Sequence, residues 1–160
     1  MPEDPRERAL MFGLLRELVG ECGLAWYRRL QLLPAGKDIP GMEALVHRLQ
    51  KKYGYSEMEN SIAEKQISKI LRMLCDELKN QSERGSRYYV GHDLTALDIY
   101  SAVFSAVMLQ PLPHEQIPMP RGMRKAYEKT YSLIQETLDP ILLEHREYIF
   151  KKYLKLPMDF

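Results

Sequence analysis

Apolar residues return every three or four positions along most of the chain, which is the period of an amphipathic α-helix. The alternation typical of half-buried strands is nearly absent. Two irregular stretches interrupt the helical pattern, a polar one at residues 80–87 and a proline-rich one at residues 111–122. The pattern predicts an all-α fold, a bundle of about six helices that forms one domain over residues 1–160.

The first helix is predicted to begin at Asp4, with Pro5 at the first helical position, and to run to about Leu33. Its inward face would carry Phe12, Leu15, Leu18, Val19, Cys22 and Trp26. The same helix would contain Gly13, Gly20 and Gly23. Each glycine costs a helix about 0.5–1 kcal/mol relative to alanine. Close packing against another helix, a bend or a ligand would each offset this cost, and these alternatives remain open.

Later helices are also marked by polar residues at their starts. A short helix is predicted over residues 42–53, and Gly54 suits the left-handed position after its end. Ser56 and Glu59 form a capping box for a long helix. Its inward stripe would be Met58, Ile62, Ile67, Ile70, Leu71, Leu74 and Leu78. Two more helices are predicted over residues 123–138 and, after Asp139-Pro140, to about residue 154.

Asp98 stands at the head of the most apolar stretch of the chain, residues 94–112. With Thr95 as N-cap, the two side chains can satisfy each other's backbone N–H groups as a capping box, and Leu94 and Ile99 can close as a hydrophobic staple. A charge inside a membrane span would cost several kcal/mol, so this stretch is predicted to be a buried core helix. Asp98 is therefore expected to serve folding rather than catalysis.

Charge is nearly balanced, with 23 Lys and Arg residues against 22 Asp and Glu residues. This balance gives no long-range field for nucleic acid or an acidic membrane, and neither partner is expected. The pair Arg28-Arg29 is interpreted as part of a solvated helix face. The N-terminus lacks an apolar signal core, so we expect a cytoplasmic protein in which Cys22 and Cys75 are reduced.

Candidate chemistry is sparse. The four histidines lie in separate segments without metal-ligand spacing, so surface or capping roles are expected for His47, His92, His114 and His145, and no metal site is expected. There is no nucleophile elbow and no glycine-rich phosphate loop. No catalytic residue is predicted.

Residues 88–107, YYVGHDLTALDIYSAVFSAV, resemble the Y-x-x-G-x-x-L-[ST]-x-x-D motif of the C-terminal helical domain of glutathione transferases. Residues 4–30 resemble the long first helix of that domain, and residues 138–160 its closing helix. His92 departs from the family, which more often has an acidic residue after the glycine. The resemblance is to uncharacterised bacterial glutathione-transferase-like proteins, and it implies the same helical fold.

The resemblance also implies a role. In the family, glutathione is the co-substrate and is held mainly by a thioredoxin-like domain, which has no counterpart in residues 1–160. The helical domain supplies a pocket wall for an apolar electrophilic small molecule, and part of a homodimer interface. That wall would come from the first helix, with Cys22, Trp26, Tyr27 and Arg29 as substrate-binding candidates. Alternatively, Cys22 and Trp26 pack in the bundle core, and Arg28 and Arg29 face solvent.

Three hypotheses follow for function. The first is the co-substrate-binding and dimerisation half of a glutathione transferase-like protein, catalytic only with a thioredoxin-like domain and without a cofactor of its own. The second is a non-enzymatic interaction or scaffold module with the same fold. The third is a free-standing binder of an apolar small molecule. The chain is either a piece of a longer protein or an independent helical domain, and we expect the former.

Overall fold

A computed structural model describes residues 1–37 and 39–158, and within these ranges the secondary structure is helical, without a strand. The all-α prediction is confirmed. The helices are α1 Pro5–Val19, α2 Leu24–Lys37, α3 Glu43–Lys52, α4 Glu57–Glu83, α5 Ala96–Phe104, α6 Arg121–Lys129 and α7 Pro140–Tyr153. A π-helical turn, Ser105–Leu109, extends α5, and a 3-10 turn, Tyr131–Leu133, follows α6. None of the described helices is both long and apolar enough to cross a membrane.

The first predicted helix is two helices, α1 and α2, because the chain bends between them. A Cβ atom on Gly20 would lie 2.6 Å from the Arg16 carbonyl oxygen, and one on Gly23 would lie 2.6 Å from the Glu17 carbonyl oxygen. Cys22, between the two glycines, has a left-handed backbone with φ 59°. Of the alternatives that the sequence left open, the bend is therefore the reason for Gly20 and Gly23.

The predicted inward faces of α1 and α4 each include residues that the structure exposes to solvent. On α1 the buried residues are Met11, Leu14 and Leu18, whereas Phe12 is 53% exposed. The inward face is thus turned by about a quarter of the helix circumference from the prediction. On α4, Met58 and Ile62 are exposed, since the buried part of this helix begins only at Ala63. The stripe from Ile67 onward is buried as predicted.

The predicted starts of three helices are confirmed by their caps. Asp4 Oδ1 accepts from the N–H groups of Arg6 and Glu7, both at 2.9 Å. Ser56 Oγ accepts from Glu59 N–H at 3.1 Å, and Asp139 Oδ1 accepts from Ile141 N–H at 3.0 Å. Gly54 has φ +60°, the left-handed conformation predicted for it. These features are local, so the sequence pattern is sufficient to locate them.

Two helix ends differ from the prediction. The long helix α4 continues to Glu83, so the polar stretch at 80–87 is helical in its first half. The helix predicted over residues 123–138 spans only Arg121–Lys129. Thr130 follows its last residue and caps this end, because its N–H and its hydroxyl both donate to the Ala126 carbonyl, at 3.2 and 3.0 Å.

The core consists of two adjoining apolar clusters. The larger one is formed mainly by α1, α2, α4 and the start of α7, and the smaller one by α5, its π-helical turn, the proline-rich connection and the end of α7. Phe104 packs against both clusters. The pairing of α2 with α4 is the most extensive between any two helices.

The Asp98 carboxylate is fully buried at the start of α5. Its Oδ2 accepts from the Thr95 N–H at 2.8 Å and the Thr95 hydroxyl at 2.7 Å, within a capping box. Its Oδ1 accepts from the Tyr89 N–H at 2.9 Å and from His145 Nε2 at 3.0 Å. Leu94 packs against the smaller cluster, and Ile99 is half-buried. Asp98 therefore joins the loop before α5 to α7.

His145 corrects the expectation of a surface role. Its side chain is only 3% exposed, and its ring lies edge-on to Tyr89 with centroids 4.8 Å apart. The reason is its partner, the buried Asp98, which lies 47 positions earlier in the chain. The other three histidines, His47, His92 and His114, are exposed as expected.

We predict that Asp98→Asn lowers the free energy of unfolding by roughly 2–4 kcal/mol, because an amide offers an N–H group where the carboxylate accepts buried donors. Urea denaturation followed by circular dichroism measures this change. Asp4→Asn is the matched control, since Asp4 caps an exposed helix start, where asparagine caps about as well. Equal effects of the two substitutions would contradict the role assigned to Asp98.

Candidate functional site

The candidate site lies along α2, the helix with contacts to most others in the bundle. It packs against α1, α3, α4 and α6. Its side chains are buried around nearly its whole circumference: Leu24, Ala25, Tyr27, Arg28, Leu30, Gln31, Leu33, Ala35 and Gly36. A helix buried in this way has little room for a solvated face. Polar residues on it must therefore find partners inside the protein.

Arg28 is the clearest such residue, and its predicted position in solvent is wrong. The side chain is fully buried, and its guanidinium makes five hydrogen bonds, which matches its five N–H groups. Nε and Nη2 donate to the Met108 carbonyl at 3.0 and 2.8 Å. Nη1 donates to Gln31 Oε1 at 2.7 Å and to the Thr130 carbonyl at 3.5 Å, and Nη2 to Thr130 Oγ1 at 3.4 Å.

No carboxylate among the described residues pairs with Arg28. Burial lowers the pKa of its guanidinium to about 10, which still leaves the group charged at neutral pH. The carbonyls that it binds lie at helix ends: Met108 closes the extension of α5, and Thr130 follows α6. The C-terminal end of a helix carries partial negative charge, so these two ends stabilise the cation without an acidic partner.

A cavity of about 540 Å³ lies directly beside this network, between α2, α4 and the end of α6. Its volume falls in the range of pockets for small organic molecules. The lining combines apolar and polar side chains: Gln31, Pro34, Ala35, Asn60, Ser61, Glu64, Lys129, Thr130 and Leu133. Two of them, Gln31 and Thr130, are also hydrogen-bonded to Arg28. The buried cation therefore lies immediately behind the cavity wall.

The Gln31 carboxamide has a fixed orientation, because a guanidinium only donates and its oxygen must turn toward Arg28. The amide N–H groups of Gln31 are then left for the cavity that it lines. On the opposite wall, Asn60 Oδ1 is buried without a hydrogen-bond partner in the described structure. The cavity thus presents hydrogen-bond donors on α2 and an unused acceptor on α4.

The four residues predicted to bind substrate do not line this cavity. Cys22 is exposed in the bend, and Tyr27 is buried one helical turn before Gln31. Burial, together with the neighbouring Cys22, raises the pKa of the Tyr27 phenol. Trp26 is half-buried and packs edge-on against Tyr53, with ring centroids 5.3 Å apart.

Arg29, the fourth predicted residue, lies on the same outer surface as Trp26. Its guanidinium stands 5.6 Å from the centroid of the Tyr53 ring. The structure therefore brings Trp26 and Arg29 together on Tyr53, the residue that follows α3, whereas Cys22 and Tyr27 lie near the bend. No group of histidine, cysteine or acidic residues in the described ranges could hold a metal ion.

The sequence contained a signal for the residues that were missed. Arg28 and Gln31 lie between Leu24 and Ala35 on the same side of α2, since the four residues follow one another at spacings of four, three and four. Polar residues on an otherwise apolar stripe indicate a buried network. Asn60 carries no such signal, because its position depends on how α4 packs against α2.

Comparisons with models of protein families, with curated proteins and with solved structures gave no match. The function proposed for this chain therefore depends on the geometry of its site and on its sequence pattern.

We predict that Arg28→Lys lowers the free energy of unfolding by roughly 2–4 kcal/mol, because three ammonium donors cannot replace a planar fork of five. Arg29→Lys, on the neighbouring but partly exposed residue, should change it by less than about 1 kcal/mol. Thermal and urea unfolding of both variants measure the difference. Similar losses for the two would show that the buried network contributes little.

Proposed function

We propose that this chain is the co-substrate-binding helical half of a glutathione transferase-like protein, and that its ligand occupies the cavity between α2 and α4. The observation that carries the proposal is the charged Arg28 behind the cavity wall, which fixes the donors of Gln31 toward the ligand. This moves the pocket by one to two helical turns along α2 from the residues that the sequence resemblance implied.

Two features support the glutathione transferase-like assignment. The capping box of Thr95 and Asp98 is buried and opens the central helix, as the family motif implies. The order of the helices also fits, with a long bent pair α1–α2, a long α4 and a closing helix α7. Glutathione itself would be held by a thioredoxin-like domain, so this chain contributes binding and orientation and no thiol activation.

The chemistry of the cavity favours a partly apolar ligand with a polar group. Pro34, Ala35 and Leu133 offer apolar surface. A carboxylate or carbonyl would accept from Gln31 and be favoured by the nearby cation, whose field is strong where water is excluded. A neighbouring N–H or O–H would satisfy Asn60 Oδ1. Such contacts would hold an electrophile in one orientation for attack by a thiolate.

The test is calorimetric titration of the purified chain with S-hexylglutathione and with glutathione. We expect S-hexylglutathione to bind, because it brings an apolar chain and amide groups, and glutathione to bind more weakly or not at all. Asn60→Ala should weaken binding of S-hexylglutathione about 5–10-fold, the equivalent of one hydrogen bond of about 1 kcal/mol.

Asn80→Ala, an exposed position on the same helix, is the matched control and should leave binding unchanged. Trp26→Ala distinguishes the two possible locations of the pocket. Weaker binding in Trp26→Ala with normal binding in Asn60→Ala would return the pocket to the Trp26 surface. Absence of binding for S-hexylglutathione would contradict the ligand site proposed in this cavity.

A second candidate, an interaction module, is favoured by the exposed aromatic side chain of Phe12 on α1. Phe12 is 53% exposed, and no atom lies within 4 Å of a Cβ placed on the neighbouring Gly13. A partner could therefore approach this part of the helix closely and cover the ring. The homodimer implied by the resemblance would place this surface against a second copy.

We predict that the chain sediments as a dimer in analytical ultracentrifugation and that Phe12→Glu sediments as a monomer, because a charge in an apolar contact is not solvated. Glu17→Lys, an exposed change on the same helix, serves as the control for altered charge. A wild-type monomer at high concentration would remove α1 as a self-association surface.

A further inference from the structure

A second cavity, of about 480 Å³, lies at the other end of α4. It is open to solvent and is lined by the end of α4, the loop after it and one side of α7: Leu78, Ser82, Ser86, Arg87, Ile141, Glu144, His145, Glu147, Tyr148 and Lys151. Along α4 its residues are 14 to 22 positions from those of the first cavity, which corresponds to roughly 21–33 Å. The two cavities are therefore separate sites.

His145 forms part of the wall, and one of its ring nitrogens is already used. Its Nε2 is bonded to Asp98 Oδ1, whose carboxylate also accepts from Tyr89 and Thr95. Because a carboxylate only accepts, Nε2 carries a proton, and in the tautomer with its single proton on Nε2 the other nitrogen, Nδ1, is an acceptor. Nδ1 is buried, on the side of the ring away from Asp98, and has no partner in the described structure.

Tyr148 stands one helical turn after His145 on the same side of α7. Its hydroxyl is hydrogen-bonded to Lys152 Nζ at 3.0 Å and to the Tyr88 hydroxyl at 3.1 Å, and the Arg87 guanidinium lies 4.9 Å from its ring centroid. The hydrogen bond from Lys152 is the main cause that lowers the pKa of this phenol. Arg87 is thus held against the cavity by stacking.

The charges around this cavity favour an anion. Arg87 and Lys151 are cations on its lining. The lining also carries two acidic residues, Glu144 and Glu147, and Glu147 is paired with the Arg146 guanidinium at 3.6 Å. With Arg146 included, three cations lie around the cavity against two acidic side chains.

We propose that this cavity binds a small carboxylate that carries a hydroxyl or amino group on the adjacent carbon. The carboxylate would lie against Arg87 and Lys151, and the adjacent group would donate to Nδ1 of His145. An α-hydroxy acid and an α-amino acid share this chemistry, and Glu144, the lining carboxylate that is not paired with Arg146, distinguishes them because it would attract an ammonium group.

The experiment is an NMR titration of the whole chain with L-lactate, L-alanine and propionate, which have similar size. We expect L-lactate or L-alanine to shift the Nδ1 resonance of His145 and to bind at least 5-fold more tightly than propionate, which has no donor. Preference for L-alanine that disappears in Glu144→Gln would identify the amino acid as the ligand class; preference for L-lactate would identify the hydroxy acid.

His145→Gln is the decisive variant, because its amide can still donate to Asp98 while the Nδ1 acceptor is lost. This variant should bind L-lactate and L-alanine only as weakly as the wild-type chain binds propionate. Arg87→Gln, on an exposed side chain without a hydrogen bond to the core, should weaken all three about equally, and Arg48→Gln on α3 is the matched control for removed charge.

Equal affinity of the wild-type chain for propionate and L-lactate, with no shift at Nδ1, would overturn the proposal, as would absence of binding for every probe. If His145→Gln does not fold, the wild-type Nδ1 shift and the Arg87→Gln titration still decide between these outcomes.

Discussion

The buried carboxylate of Asp98 is the constraint around which the fold is arranged. It accepts hydrogen bonds from two backbone N–H groups, one hydroxyl and one imidazole. All its acceptor positions are therefore occupied by the protein, which leaves none for a substrate. An acidic residue at the head of an apolar stretch could serve catalysis or folding, and these contacts favour folding. The charge is retained because it joins the loop before α5, the start of α5 and α7 at one point.

The opposite end of the same helix is held by the opposite charge. Arg28 binds the Met108 carbonyl, and Arg146 binds the Gln110 carbonyl at 3.1 Å. The central helix and its π-helical extension therefore have a buried anion at the N-terminal end and buried cations at the C-terminal end. Each charge complements the helix dipole. Asp98, Arg28 and Arg146 are hydrogen-bonded to backbone groups and polar side chains and not to one another. A substitution at one end of the helix therefore leaves the charge at the other end with its own partners.

The range of each interaction along the chain decides how much the sequence predicts. The caps at Asp4, Ser56 and Asp139 connect residues two or three positions apart, and they were located correctly. Arg28 reaches partners 80 and 102 positions away, and His145 reaches one 47 positions away. The sequence pattern places Arg28 on a solvated face and indicates a surface or capping role for His145, because these residue types favour water and only tertiary packing supplies the buried partner. Gly20 and Gly23 are an intermediate case in how far the sequence predicts the structure. The sequence shows that each glycine costs helix stability, but only the structure shows the reason for them, which is the close approach of the α1 carbonyl oxygens at the bend.

Both candidate sites arise where a structural network ends at a cavity. Arg28 engages the oxygen of Gln31 and leaves its N–H groups, and Asp98 engages one nitrogen of His145 and leaves the other. Residues inside these networks serve stability and binding at once, so their removal changes both. Asn60 and Arg87 differ, because their side chains contact the cavities without a hydrogen bond to either network. A ligand that binds only the folded chain stabilises it by mass action. Substitutions of Asn60 or Arg87 that weaken ligand binding without changing the free energy of unfolding would therefore separate recognition from folding.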